Sequence, residues 1–436
     1  MNTEQLYQHY LQHPLVCTDT RQIQPGCMFF ALKGEHFNGN QFAAQALEAG
    51  AALAVVDDPS VAADERFILV DDVLMALQNL ARYHRRQLPI PFIGITGTNG
   101  KTTTKELLYA VLSQRFKTQA TQGNLNNHIG VPLTILSLSA QTEMAIIEMG
   151  ANHIKEIEFL CSIAQPTHGL ITNVGKAHLE GFGSFEGVKA TKGELYEYLS
   201  KTEGVAFINS DNHFLVAMSR EREVEREVFY GISAGNFVCG KLQKTAPYLE
   251  VAWHRQGMEF DDSPHIAQSN LTGTYNVENI LAAICLGSYF GLSPEEINQG
   301  ITSYQPRNNR SQLTQTASNT LICDYYNANP SSMAVALENL EMAEASKKVL
   351  ILGDMFELGS ESETEHQVIV EKAEALPADQ HIFIGAEFYK FGNNIGSFYR
   401  DTQEAYQALK EKPIKDSLIL IKGSRGMKLE TLVELL

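Results

Sequence analysis

The 436-residue sequence has no closely paired cysteines and no long apolar run. Its six cysteines are scattered, without a Cys-x-x-Cys pair or zinc-site spacing, which predicts free thiols in a reducing compartment. The sequence contains no run of about 20 apolar residues, which is the length that a helix needs to cross a bilayer. The polar N-terminus also lacks the basic-then-apolar order of a signal peptide. We therefore expect a cytoplasmic protein without membrane insertion.

Basic charge is scarce as well. The chain has 34 Lys and Arg against 51 Asp and Glu, a net charge of −17. This balance argues against nucleic acid or an anionic membrane as a partner. An anionic ligand must then be bound by a local positive site. The composition, with 44% hydrophobic and 19% charged residues, is that of an ordinary globular protein.

The chain is organised around a glycine-rich segment. An apolar run at residues 92–96 leads into Gly-Thr-Asn-Gly-Lys-Thr at 97–102 and then a helical pattern. Gly97 and Gly100 let the backbone turn so tightly that successive N–H groups point at one anion. Lys101 adds a mobile positive charge and the helix adds its positive end. We interpret the segment as an ATP phosphate-binding loop, although the first glycine of the strict P-loop pattern is missing. A strand-to-helix turn with a chance lysine is the alternative.

Polar residues follow two other apolar runs. Glu148 comes directly after residues 145–147, and His178 lies in the loop that follows residues 168–172. A carboxylate at the end of a strand beside a phosphate loop, together with the hydroxyl of Thr102, suits magnesium. Helix capping or an ion pair would also explain Glu148, and a lone loop histidine is usually just solvated.

Two linkers divide the sequence. Residues 88–91 contain prolines at alternate positions, which disfavour both helix and central strand, and residues 306–310 form a second linker. We expect domains at 1–88, 89–307 and 308–436. The first reads as a small α/β unit. The alternating strands and helices of the second predict a mainly parallel sheet with ligands at its carboxyl edge, and the third predicts a Rossmann-like α/β sheet.

Two asparagines begin a predicted helix after Gly273. Asn276 and Asn279 are three residues apart, so their amides lie close together and could read a purine edge, or simply cap the helix. In the N-terminal segment, residues 18–21 and 33–40 are polar and turn-prone. They read either as ordinary surface loops or as functional ones.

Taken together, these motifs resemble the Mur ligase family, over nearly the whole chain. The loop at 97–102 is shared with folylpolyglutamate synthases and selects no member. The other segments resemble the member that adds D-alanyl-D-alanine to a UDP-N-acetylmuramoyl tripeptide. The more selective segments are 123–132, 148–151 and 173–184, then Asp-Tyr-Tyr-Asn-Ala-Asn-Pro at 324–330 with 352–359 behind it.

The resemblance implies a three-domain Mur ligase architecture and the use of ATP and Mg²⁺. It implies that Lys192 is carried as a carbamate, which would turn a cation into an anion beside magnesium. The implied catalytic residues are Lys101, Lys192, His178 and Arg310. The implied nucleotide-binding residues are Gly97, Thr98, Asn99, Gly100, Lys101, Thr102, Thr103, Asn276, Asn279, Arg310 and Asp324. The implied substrate-binding residues are Thr20, Arg21, Asn38, Gly39, Asn40, Asn126, Asn127, Asn327, Asn329, Lys422 and Ser424. The implied metal ligands are Thr102, Glu148, His178 and Lys192.

The function that we expect is ATP-driven amide ligation through an acyl phosphate. The partners are then small molecules (ATP, UDP-MurNAc-tripeptide and D-Ala-D-Ala), with no nucleic acid, and the protein is expected to be a monomer. One alternative is another Mur-type or folylpolyglutamate-type amino-acid ligase. Another is a non-catalytic P-loop module that uses ATP only to change shape.

Overall fold

The computed structural model describes residues 1–245, 248–257, 264–306, 309–392 and 395–436. Three open sheets follow one another along the chain, and we name the N-terminal, central and C-terminal units after them. The predicted α/β fold class is confirmed. No helix within the described ranges is long and apolar enough to cross a membrane. All six cysteines lie within these ranges and are free thiols.

The N-terminal unit has a four-stranded parallel sheet, in the order β1-β2-β5-β6, and a small hairpin, β3-β4. Its first helix begins at a capping box, in which Asn2 and Gln5 each accept a backbone N–H of the other. The strands are β1 (Val16–Cys17), β2 (Met28–Phe30), β3 (Lys33–Gly34), β4 (Phe37–Asn38), β5 (Leu53–Val56) and β6 (Phe67–Leu69). The helices are α1 (Thr3–Gln12), α2 (Ala43–Glu48) and α3 (Val73–Arg86).

The central unit has a nine-stranded sheet in its described residues, in the order β15-β14-β13-β12-β11-β10-β7-β9-β8. Its strands are β7 (Phe92–Thr96), β8 (Thr118–Ala120), β9 (Met144–Glu148), β10 (His168–Ile171), β11 (Val205–Asn209), β12 (Arg226–Gly231), β13 (Val238–Lys244), β14 (Glu250–Arg255) and β15 (His265–Gln268). Its helices are α4 (Lys101–Leu112), α5 (Gly130–Leu136), α6 (Glu156–Ala164), α7 (Leu179–Phe182), α8 (Phe185–Lys201), α9 (His213–Glu221), α10 (Asn276–Tyr289) and α11 (Pro294–Ser303).

Strand β7 carries the glycine-rich loop at its carboxyl end. It pairs in parallel with β9 on one side and β10 on the other. All five residues of β7 and of β9 are buried, as expected for strands covered by helices on both faces. The loop, Glu148 and the segment after β10 therefore meet at one edge of the sheet.

The C-terminal unit has a six-stranded sheet in the order β16-β17-β21-β18-β19-β20, parallel except for the edge pair β16-β17. Its strands are β16 (Gln312–Gln315), β17 (Thr320–Asp324), β18 (Lys348–Gly353), β19 (Gln380–Ile384), β20 (Ser397–Tyr399) and β21 (Leu418–Lys422). Its helices are α12 (Pro330–Met342), α13 (Ser362–Ala375), α14 (Ala386–Tyr389) and α15 (Thr402–Glu411).

Helix α3 connects the N-terminal unit to the central one. The Arg85 guanidinium donates to the carbonyls of Ala164 and Gln165 at 2.9 Å each, and its plane lies 3.7 Å from the ring of Phe92. Apolar residues of both units form one continuous core. The predicted limit at 88/89 stays a prediction, and the limit at 307/308 lies outside the described residues.

One part of the central sheet differs from simple βα alternation. Strands β13, β14 and β15 form an antiparallel meander at the edge, while the other neighbours pair in parallel. Strand β14 lies in the middle of this meander and buries Val251, Ala252 and Trp253 in a continuous run between less buried ends. The sheet is mainly parallel, as predicted, with this addition.

Candidate functional site

The glycine-rich loop adopts a backbone that only glycine tolerates well. Gly97 has φ +141° and Gly100 has φ +79°. A Cβ on Gly97 would lie 2.0 Å from Thr172 Oγ1, and one on Gly100 would lie 2.7 Å from Asn279 Oδ1. The two glycines therefore serve close packing as well as the turn. Helix α4 starts directly after Gly100, so its first unpaired N–H groups face the loop.

Residues after β10 fasten the loop. The Thr98 N–H donates to the Asn173 carbonyl at 3.0 Å, and the Asn99 N–H donates to Asn173 Oδ1 at 2.9 Å. The Thr172 hydroxyl donates to the Asn99 carbonyl at 2.6 Å. Hydrogen bonds within the protein thus hold the loop in place.

Lys101 folds back over this loop. Its Nζ donates to the carbonyls of Gly97 at 2.6 Å and Thr98 at 3.0 Å. Burial lowers the pKa of Lys101 to about 8; Glu148 opposes this change and Arg310 adds to it. Because the fold destabilises the charged form of this lysine, an anion that binds beside it would stabilise that form.

Glu148 is buried and accepts hydrogen bonds at both carboxylate oxygens. The Thr102 hydroxyl donates to Oε2 at 3.0 Å, and Asn126 Nδ2 donates to Oε1 at 2.9 Å. The Glu148 N–H donates to Thr121 Oγ1 at 3.0 Å. The predicted metal ligands Thr102 and Glu148 are therefore adjacent. Asn126, which the sequence suggested as a substrate contact, here orients Glu148.

His178 lies across from the C-terminal unit. Its Nδ1 contacts Glu357 Oε2, which leaves Nε2 as the nitrogen available to a metal. Burial lowers the pKa of His178, and Lys101 and Lys192 push it the same way while Glu357 opposes them. The backbone of His178 is left-handed, with φ +51°, so the loop presents this side chain at some conformational cost.

Lys192, on α8, is 2% exposed. Its Nζ donates weakly to the Ala151 carbonyl at 3.4 Å and lies 5.2 Å from the ring centre of Phe182. Burial lowers its pKa well below the usual value, and Lys101 lowers it further. Such an environment favours the neutral amine.

Asn276 and Asn279 lie at the start of α10 and are bonded to each other. Asn279 Nδ2 donates to Asn276 Oδ1 at 2.8 Å, and Asn276 Nδ2 donates to the Thr272 carbonyl at 2.7 Å. Thr104, on α4, donates to Asn279 Oδ1 at 2.9 Å. Their amides thus link α10 to α4. Only the donors and acceptors that these bonds leave unused are available to the cavity described below.

Two cationic side chains flank Tyr326. The Arg310 guanidinium lies 3.9 Å from the ring centre and that of Arg425 lies 5.2 Å away. Nε of Arg310 is buried and has no hydrogen-bond partner among the residues that the structure describes. On the neighbouring strand Lys422 is buried, and its Nζ donates to Asp324 Oδ2 at 2.7 Å.

Several contacts besides that of His178 with Glu357 join the central and C-terminal units. Asn329 Nδ2 donates to Asn99 Oδ1 at 2.8 Å, which connects the tip of the phosphate loop to α12. The Lys176 N–H donates to Ser331 Oγ at 2.9 Å, and Lys176 Nζ pairs with the buried Glu365 at 2.6 Å.

A cavity of about 740 Å³ opens between these two units, and a smaller one of about 200 Å³ adjoins it at His178, Asn327 and Asn329. Predicted residues that line the large cavity are Thr98, Asn99, Gly100, Lys101, Thr103, Asn126, Asn127, Glu148, His178, Asn276, Asn279, Arg310, Asp324, Asn327, Asn329 and Lys422. The small cavity is lined by Ala177, His178, Asn327, Ala328, Asn329, Phe356, Glu357, Ser424, Arg425 and Gly426.

The predicted residues of the N-terminal unit do not line either cavity. Thr20 and Arg21 lie in a 3₁₀ turn, where Arg21 is mostly exposed and pairs with Asp19 at 2.7 Å. Asn40 is buried; its Nδ2 donates to Asn38 Oδ1 at 2.9 Å and to Asp57 Oδ1 at 2.7 Å. Gly39 packs closely, since a Cβ there would lie 2.3 Å from the Leu32 carbonyl.

Some residues of the cavities and of the contacts beside them were not singled out from the sequence. Asn173, Tyr326 and Glu357 lie within quoted segments but gave no signal of their own. Lys176 and Glu365 could not be linked, since they are 189 residues apart in sequence.

Comparison with known proteins agrees with this architecture. Family models match at residues 14–85 (Mur ligase family, catalytic domain), 95–287 (Mur ligase middle domain) and 309–425 (Mur ligase, glutamate ligase domain). The UDP-N-acetylmuramoyl-tripeptide--D-alanyl-D-alanine ligase of Bacillus subtilis is 37% identical over 433 residues, covering 96% of this chain and 92% of that protein. The Escherichia coli protein of the same name is 36% identical, covering 97% and 93%.

Solved structures give the same result. A crystal structure of MurF from Acinetobacter baumannii superposes with a TM-score of 0.87 at 30% identity, covering 99% of this chain and 98% of that one. MurF ligase from Thermotoga maritima in complex with ADP gives a TM-score of 0.85 at 26% identity, covering 98% and 97%. With family models along its length and relatives above 30% identity over almost all of it, the chain belongs to the Mur ligase family.

Proposed function

We propose that this chain is an ATP-dependent ligase that joins D-alanyl-D-alanine to the terminal carboxylate of a UDP-N-acetylmuramoyl tripeptide, with release of ADP and phosphate. One observation carries the proposal. The phosphate loop and the Asn-Ala-Asn-Pro segment face a single cavity and are joined there by the hydrogen bond between Asn99 and Asn329. A nucleotide and the incoming dipeptide can therefore meet at one place.

The reaction has two steps. A tripeptide carboxylate oxygen attacks the γ-phosphorus of ATP, the bond to the β-phosphate oxygen breaks, and ADP leaves. The amine of D-Ala-D-Ala then attacks the acyl carbon, phosphate leaves with the C–O bond electrons, and the amine loses a proton. Lys101 and Arg310, which both line the cavity, supply positive charge to the transferring phosphoryl group. Thr98, Asn99 and the start of α4 orient the phosphates.

Mg²⁺ fits the pair formed by Thr102 and Glu148. Their side-chain oxygens are 3.0 Å apart, and hard oxygen ligands together with phosphates are what this ion prefers. When bound, it would reduce the repulsion between the carboxylate and the triphosphate. His178 would serve a second ion through Nε2 while Nδ1 stays with Glu357.

We also propose that Lys192 is carbamylated. Its amine would add to the carbon of CO₂ and lose a proton, giving an anionic carbamate in place of a cation. Burial supports this, because the neutral amine is the form that reacts. Intact-protein mass spectrometry under bicarbonate should find an added mass of CO₂ that Lys192→Met lacks. A free amine together with activity indifferent to bicarbonate would contradict it.

The smaller cavity suits D-Ala-D-Ala. The Arg425 guanidinium can bind the dipeptide carboxylate, and Asn327 and Asn329 can bind its amide. The small residues Ala177, Ala328 and Gly426 would lie against its methyl side chains. Ser424 supports this wall by accepting the Phe356 N–H at 2.9 Å. Arg425→Gln should raise the KM for D-Ala-D-Ala by about tenfold, at unchanged KM for ATP.

The UDP end would be bound by the N-terminal unit. Thr20, the exposed Arg21 and the loop 38–40 are the proposed contacts, with Asn40 shaping the loop through Asp57. We further propose the domain limits 1–88, 89–307 and 308–436, a monomer, and a cytoplasmic location, for which the six free thiols are the support.

Phosphate release tests the whole proposal. It should require the UDP-tripeptide, ATP and D-Ala-D-Ala together, and Lys101→Ala should abolish it in a folded protein. Lys201→Ala, which removes a mostly exposed lysine from α8, is the matched control and should keep full activity. Release supported by a folate and glutamate instead, or independent of D-Ala-D-Ala, would refute the assignment.

A further inference from the structure

Lys105 is a fully buried lysine that the mechanism above does not use. It lies on α4, one turn after Lys101, and is 0% exposed. Its Nζ donates to the Thr121 carbonyl at 2.6 Å and pairs with Glu106 at 2.8 Å. A buried ammonium costs several kcal/mol of solvation, so an apolar residue in this core position would be the simpler choice. Its presence calls for a task that an apolar residue cannot perform.

Thr121 links Lys105 to the metal-binding carboxylate. This residue is also 0% exposed and directly follows strand β8. Its carbonyl is the acceptor for Lys105, while its hydroxyl accepts the backbone N–H of Glu148 at 3.0 Å. Lys105 therefore holds Thr121 in place, and Thr121 in turn holds the backbone of Glu148.

The contacts close into a ring. Thr102 donates to Glu148, Glu148 donates to Thr121, and Thr121 accepts from Lys105. Lys105 returns to Thr102 through one turn of α4, because residues three apart lie on the same side of a helix. The ring sets the distance between the end of β9 and the start of α4, which are the two elements that provide the proposed ligands.

We propose that Lys105 is a positioning residue for the divalent cation and acts through Thr121 on Glu148. The proposal rests on the metal role of Thr102 and Glu148 stated above. Without the ammonium, the Thr121 carbonyl loses this donor, although the Thr121 N–H still bonds to the Ile146 carbonyl at 3.0 Å. The Glu148 carboxylate is then held less firmly against the Thr102 hydroxyl. Partners behind a metal ligand commonly contribute 10–100-fold to metal affinity, and we expect about tenfold here.

Three variants test this. Lys105→Met keeps the length of the side chain and removes the ammonium. Thr121→Val keeps the shape of the residue and removes the hydroxyl, and Thr121→Ser restores the hydroxyl. Bound Mn²⁺ is counted by electron paramagnetic resonance at saturating ADP, without turnover, and ADP affinity is measured separately in EDTA.

We expect Lys105→Met and Thr121→Val to weaken Mn²⁺ binding about tenfold. Thr121→Ser should stay within about twofold of the starting protein, and ADP affinity in EDTA should be unchanged in all. Mn²⁺ affinity preserved in a folded Lys105→Met or in Thr121→Val, or lost in the same proportion as ADP affinity, overturns the proposal. If Lys105→Met does not fold, the Thr121→Val and Thr121→Ser pair decides. A starting protein without D-Ala-D-Ala-dependent phosphate release would refute the proposed function but leave the Mn²⁺ comparison intact.

Discussion

Replacing Lys101 by methionine should abolish activity and yet stabilise the nucleotide-free protein. The fold disfavours the charged form of this side chain, because burial and Arg310 lower its pKa more than Glu148 raises it. The ammonium makes two hydrogen bonds to loop carbonyls, but water in the open cavity can replace these. Function and stability are therefore opposed at this residue.

The size of the effect follows from the pKa. A fall from 10.5 to about 8 corresponds to about 3 kcal/mol against the charged form. Lys101 keeps part of its surface in water and loses two hydrogen bonds on replacement. We therefore expect Lys101→Met to raise the free energy of unfolding by about 1–2 kcal/mol at pH 7.

The sign of the pH dependence is fixed as well. The folded pKa is the lower one, so between pH about 8 and 10.5 the unfolded chain binds more protons at this residue. The free-energy cost of burying the charged Lys101 is complete below that pH window and disappears as the pH rises through it. The advantage of the methionine variant should shrink accordingly.

Thermal unfolding with and without ADP measures both effects. The variant should melt roughly 2–4 °C higher without nucleotide at pH 7 and gain less than the starting protein when ADP is added. Lys201→Met, at a mostly exposed position, should change little. A variant that melts lower at pH 7, or an advantage independent of pH, would refute the reasoning.

Three further substitutions have expected outcomes. Lys176→Met removes the partner of the buried Glu365, and should raise the KM for D-Ala-D-Ala by about three- to tenfold in initial-rate assays, because the C-terminal unit docks less well; an unchanged KM would count against the docking role. Gly100→Ala puts a methyl 2.7 Å from Asn279 Oδ1 on a left-handed backbone, and calorimetry should find ADP binding weakened at least tenfold; ADP binding as tight as before would be inconsistent with this packing. Asp354→Asn leaves the N–H groups of Glu387 and Phe388, now at 2.9 and 3.0 Å from its carboxylate, without one acceptor; urea unfolding should lose about 1–3 kcal/mol while the KM for D-Ala-D-Ala stays the same.

The order of elements was predictable because hydrophobic pattern and turn chemistry agree locally. The loop after β7, the carboxylate at the end of β9 and the loop after β10 were expected at one sheet edge, and parallel pairing of β7 with both neighbours brings them there. The antiparallel meander after β12 was not predicted, since short strands of mixed polarity separated by turns resemble loops in a sequence.

Contacts between the units could not be predicted from local sequence patterns. Asn99 and Asn329 are 230 residues apart, and nothing in either segment specifies the other as its partner. The sequence suggested that Asn276 and Asn279 read a purine edge or cap the helix, and the structure adds that their amides join α10 to α4. Which side-chain atoms remain free for a ligand depends on tertiary packing, and pattern alone does not report it.

The contacts across the cavity explain how a nucleotide can be both reactant and clamp. The ion pair of Lys176 and the hydrogen bond from Asn329 hold the C-terminal unit in place, but each contributes only about a kcal/mol, so the interface can open to admit substrates. Lys101 and Arg310 both line the cavity, and their like charges repel, so Arg310 lowers the pKa of Lys101. A triphosphate between them replaces that repulsion by two attractions. Closure and phosphoryl transfer thus draw on the same pair of cations, and departure of phosphate restores the repulsion that favours opening.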